Sequence, residues 1–95
     1  MGILHHLSIT ADNRPAWDEF LAALADGDSV VILDRAVGAL LLDAGCVAGR
    51  PQVRWLLPSC ERRAVPLVLP AGIVEIEDHD WWQLIATHPV LLEWS

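Results

Sequence analysis

The 95-residue chain is expected to form one small α/β domain spanning residues 1–95, with a mainly parallel sheet of four or more strands flanked by helices. Three observations predict this. Short apolar runs recur at residues 3–7, 30–33, 53–57 and 73–76. Stretches with helical spacing separate most of them, the alternation expected of crossover helices between parallel strands. The run Val30, Val31, Ile32 and Leu33 is apolar at every position, as a strand buried on both faces must be. It is therefore assigned to the middle of the sheet.

Residues 3–7 read as the first strand, ended by Ser8 and Thr10. Asn13 is placed to cap the following helix, with Pro15 in its first turn and Asp18 and Glu19 near the positive end of its dipole. Trp17, Phe20, Leu21 and Leu24 share one face of that helix, and Gly27 offers a left-handed stop. After the central strand, residues 36–43 read as a short apolar helix. Gly49, Arg50 and Pro51 then make a turn into a third strand at 53–57. Pro58 and Ser59 start a brief helical turn over residues 60–63. Residues 65–69 are apolar but interrupted by Pro66 and Pro70 and read as loop or edge. The run at 73–76 is the last expected strand. Asp78 caps a final helix whose Trp81, Leu84, Ile85 and His88 share a face, and Pro89 ends it. An apolar tail, Val90 to Ser95, remains.

Hydrophobic residues make up 54% of the chain and its mean hydropathy is +0.38. A domain this small buries only about two-thirds of its unfolded surface, so such an excess implies a membrane span or a subunit interface. Asp43, Arg50, Arg54 and Glu61 break the apolar stretches well short of the ~20 residues a spanning helix needs. The first residues lack the pattern of a secretory signal, so a cytoplasmic subunit with an obligate partner is expected. A net charge of −7, with six arginines and no lysine, argues against direct nucleic-acid binding. The lack of lysine also excludes a P-loop or a Schiff base.

No cofactor or metal is expected. Cys46 and Cys60, fourteen residues apart, form neither a CxxC pair nor a zinc framework. Cys46, among Leu42, Ala44 and Val47, reads as a small buried hydrophobe. Cys60 is the candidate catalytic thiol. It opens a helical turn at the carboxyl end of a strand, and Arg62 and Arg63 favour thiolate, while Glu61 opposes it. Glu75, Glu77, Asp78, His79 and Asp80 have no ligand spacing and read as a strand end plus an acidic first helical turn. His5 and His6 point to opposite faces of a strand and read as structural. Of five tryptophans, Trp17 belongs to the core, and Trp55, Trp81, Trp82 and Trp94 are candidate interface anchors.

The order and spacing of several segments resemble the TusB/DsrH family nearly end to end. They are Ile3-Leu4-His5, then Gly27-Asp28-Ser29-Val30-Val31-Ile32-Leu33, then residues 53–65 with Arg63. Ile73-Val74-Glu75-Ile76, Asp80-Trp81 with Trp82, His88 and Trp94 complete the set. The resemblance implies a subunit of a heterohexamer with TusC/TusD-like (DsrF/DsrE-like) partners. In the Tus branch such a complex relays persulfide sulfur toward 2-thiolation of the tRNA wobble uridine. In the Dsr branch it serves dissimilatory sulfur oxidation. In both, the best-established sulfur carrier is a cysteine of the TusD/DsrE-type subunit. DsrH-type members can carry a cysteine in the first helix, where this chain has Phe20. That departure favours the Tus branch and an auxiliary role, and neither Cys46 nor Cys60 inherits a family function. The rival expectations are a DsrH-type subunit, a thiol protein carrying a persulfide on Cys60, and an interaction module without a sulfur role.

Overall fold

A computed structural model describes residues 2–10, 12–33, 36, 45–64 and 71–95. Within them the chain forms β1 (Leu4–Leu7), α1 (Arg14–Ala23), β2 (Ser29–Ile32), α2 (Gly45–Ala48) and β3 (Arg54–Pro58). A 3₁₀ segment (Ser59–Ala64), β4 (Ile73–Ile76), α3 (Asp78–Thr87) and β5 (Leu91–Trp94) follow. The five strands pair in parallel in the order β4-β3-β2-β1-β5. The fold is α/β, and β2 lies at the centre with all four residues buried.

Register decides which side chains share a face. His5 aligns with Val30 and Leu92, Val30 with Trp55, and Trp55 with Ile73. Aligned parallel partners point the same way and side chains alternate along a strand. His5, Leu7, Val30, Ile32, Trp55, Leu57 and Trp94 therefore share a first face, and Leu4, His6, Ser29, Val31 and Leu56 share the second. A right-handed crossover from β1 toward β3 puts its connection on one face, and the return from β4 to β5 puts its helix on the other. Accordingly α1 and α2 cover the first face, through Trp17, Phe20, Cys46 and Val47, and α3 covers the second.

Phe20 is the keystone of the first face. It is fully buried, with ring centroids 5.7 to 6.2 Å from those of Trp17, His5, Trp55 and Trp94. Burying one such side chain contributes about 3 kcal/mol, and edge-to-face aromatic packing adds about 1 kcal/mol per good pair.

Several sequence expectations need correction. Asn13 occupies the cap position of α1, but its side chain makes no capping hydrogen bond. The helix ends at Ala23, with Leu24 already extended, because the Ala25 amide turns to donate to the Asp28 carboxylate at 3.1 Å. Gly27 is not the helix stop. It has φ +90° in the turn beyond, where a side chain would be strained. Pro58 closes β3 opposite Ile76 instead of opening the turn. Glu77, not Asp78, caps α3, through reciprocal bonds between the Glu77 and Asp80 side chains and each other's amides. The apolar tail is a fifth strand, so 73–76 is an edge strand but not the last one. Of the helix expected at 36–43, only Ala36 is described, helical and buried. The loop or edge expected at 65–69 lies outside the described residues.

Candidate functional site

The polar centre of the first face is His5, fully buried on β1. Trp94 Nε1–H donates to His5 Nδ1 at 3.0 Å, so that nitrogen is unprotonated and the ring proton sits on Nε2. Nε2–H then donates to Asp28 Oδ2 at 2.8 Å. The same carboxylate accepts the amides of Ile3 at 2.9 Å and Ala25 at 3.1 Å. Burial alone would raise the Asp28 carboxyl. The hydrogen bonds from His5, Ile3 and Ala25 outweigh it and hold the group below its ordinary value. One carboxylate thus ties together the entry to β1, the exit from α1 and the entry to β2, and His5 carries the tie on to β5.

On the second face Trp81 of α3 donates its indole N–H to His6 Nε2 at 3.1 Å, which leaves the His6 ring proton on Nδ1. Burial lowers the His6 pKa, and Glu93, its register partner on β5, offsets this in part. Beside α3 lies an open groove of about 450 Å³, lined by Arg54, Leu56, Ile76, Asp80, Leu84 and His88 among others. Arg54 bonds Ser29 Oγ through Nε at 3.0 Å.

Cys60 is exposed in the 3₁₀ segment, at the carboxyl end of β3. It borders a hollow of about 170 Å³ with Asp78, Trp81, Trp82 and Ile85. Ser59 fixes the turn by donating to the Ile76 carbonyl at 3.0 Å and to Glu75 at 3.2 Å. The side chains of Arg62 and Arg63, expected to favour thiolate, lie outside what is described. Cys46 is buried in the first-face core and is not disulfide-bonded.

The four candidate anchors fall into three environments. Trp55 is 1% exposed in the core and has no surface to offer a partner, which removes it from the interface set. Its indole N–H has no partner among the described residues. Trp81 and Trp94 are half-buried and use their indole N–H groups within the chain. Trp82 is 69% exposed. Among the described residues, Trp82, Val74, Val90, Leu91 and Leu92 are the large exposed hydrophobics. Of the acidic run, Glu75 lies in β4 and accepts from Ser59, while Glu77, Asp78 and Asp80 form the α3 cap and its first turn. Among the described residues no three His, Cys, Asp or Glu side chains gather as a metal site requires. Likewise no described helix is long and apolar enough to cross a membrane.

No protein-family model matches the chain, and no curated protein matches it. The buried His5–Asp28–Trp94 relay is the feature that sequence reading missed. Its one legible signal is Asp28, two residues before the buried-strand run that starts at Val30. A carboxylate entering a central strand needs partners, and only tertiary pairing identifies them.

Proposed function

We propose that this chain is an auxiliary subunit of a TusB/DsrH-type sulfur-relay complex in the cytoplasm, assembled with TusC/TusD-like (DsrF/DsrE-like) partners. We place it in the branch that serves 2-thiolation of the tRNA wobble uridine. The observation that carries the subunit role is the exposed apolar set Val74, Trp82, Val90, Leu91 and Leu92 in a chain this small. The resemblance noted in the sequence supplies the partners. Phe20 supports the auxiliary, non-carrier role, since the first-helix position that holds a cysteine in DsrH-type members is here a fully buried ring.

Purification of the chain at native levels tests this reading. The expected result is two co-purifying small subunits, one with a cysteine that alkylates rapidly, and loss of wobble-uridine 2-thiolation when the chain is deleted. A chain that purifies alone, with thiolation intact in the deletion, would defeat it. A second reading, a persulfide carried on Cys60, is favoured by the exposure of that thiol at the carboxyl edge of the sheet. Loss of thiolation in Cys60→Ser with the complex still assembled would replace the first reading by the second.

A further inference from the structure

We infer that His5 and His6 form a proton-operated latch that holds the C-terminal unit, α3 and β5, against β1. The two histidines are adjacent on one strand and project to opposite faces of the sheet. Each accepts an indole N–H from the C-terminal unit: His5 from Trp94 of β5, and His6 from Trp81 of α3. An indole nitrogen only donates, so each bond requires an imidazole nitrogen with a free lone pair. A second proton on either ring turns that acceptor into a donor and sets N–H against N–H. Both side-chain clamps between β1 and the C-terminal unit therefore depend on neutral histidine.

Each ring also faces a carboxylate. Asp28, from the entry to β2, meets His5 at Nε2, and Glu93 of β5 is the register neighbour of His6. Phe20 of α1 and Trp94 of β5 complete the ring contacts of His5, and Trp81 of α3 those of His6. None of these rings carries a charge. A proton arriving at either histidine thus finds a carboxylate to compensate it but loses the tryptophan. The outcome is an imidazolium paired to Asp28 or Glu93 and an indole released. Among the described residues β5 is an edge strand bonded to β1 alone, with Leu91 and Leu92 each more than a third exposed. Releasing it exposes the edge of β1 while β2, β3 and β4 stay paired. The device is independent of the sulfur-relay reading.

Nitrogen and hydrogen-exchange NMR on the whole chain tests it. At about pH 8 the ring shifts should show the proton of His5 on Nε2 and that of His6 on Nδ1. The Leu4 and Ser8 amides, which donate to the Val90 and Trp94 carbonyls of β5, should exchange slowly. On lowering to about pH 5, protection factors for those amides and the two indoles should fall by about tenfold or more, the effect of one unit of pKa difference. The Leu33 and Arg54 amides, which donate to Leu7 and Asp28, should hold to within about threefold, less than half that free energy. His6→Gln and His5→Gln keep an acceptor that cannot be protonated, so each should remove the pH response at its own tryptophan. If His5→Gln does not fold, His6→Gln alone tests the Trp81 arm. The opposite tautomers, pH-invariant protection in the wild type, or parallel loss at Leu33 and Arg54 would each overturn the latch.

Discussion

The first face of the sheet packs against α1 and α2 and seals its aromatic centre, whereas among the described residues the second meets only α3, none of whose residues is fully buried. Five strands span about 19 Å between their outer axes, and one helix with its side chains is about 10 Å wide. A single crossover helix therefore covers roughly half of such a face. On that face the Arg54 groove lies beside α3, Val74 of β4 is exposed, and the exposed Trp82 lies on α3. The two faces teach that connection handedness distributes burial as strongly as composition does. The chain that moves steadily from β1 to β4 builds one dense layer, and among the described residues the return from β4 to β5 adds one helix to the other.

The largest effect that would break this comparison is at Phe20. Phe20→Ala should lower stability by about 4 kcal/mol in a urea titration, since it empties the centre of the dense face. A loss below about 1 kcal/mol would mean that the first face is no tighter than the second. Next comes Asp28→Ala, which orphans two amides and the His5 Nε2–H. A cost of about 3 kcal/mol is expected by the same titration, and little change would show that water replaces the carboxylate. Acid should act in the same sense on both faces. The folded His6 pKa lies below its ordinary 6.5, so the unfolded chain takes up the proton first. The His6 contribution is intact above that value and is lost as pH falls through it. The folded Asp28 pKa also lies below its ordinary 3.8, so that contribution is lost only at still lower pH. Thermal melts that stay flat from about pH 7.5 to about pH 5 would contradict the His6 part.

Gly27→Ala should cost about 1 kcal/mol, entirely from the left-handed backbone, because a Cβ there meets nothing within 4 Å. At the small end, Trp82→Ala should change the stability of the isolated chain by about 0.5 kcal/mol or less. In co-expressed assemblies it should weaken association by about thirtyfold if Trp82 is an anchor. Equal affinity for both forms would strike Trp82 from the interface.

Fold class, strand count up to four and the central place of β2 were legible because an unbroken apolar run and helical spacing report burial directly. The helical face of Trp17 and Phe20 was legible for the same reason. The fifth strand was not. Leu91 to Trp94 carries the same apolar character as a disordered hydrophobic tail, and only pairing with β1 separates the two. The fate of the tryptophans was equally hidden. Trp55 and Trp82 are the same residue type in apolar segments, yet one faces α1 in the core and the other faces outward on α3.

The sequence by itself determined that this chain alternates strands and helices, that β2 is buried on both sides and that apolar surface is left over. Periodicity and composition are local properties, and those features follow from them. Only the tertiary structure decided that β5 returns to the far edge beside β1. It also decided that Asp28, His5 and Trp94 join in one buried relay, and that the large exposed apolar side chains among the described residues lie between Val74 and Leu92. Those outcomes depend on contacts between residues as much as 89 positions apart, which crossover handedness and register set and no local pattern encodes.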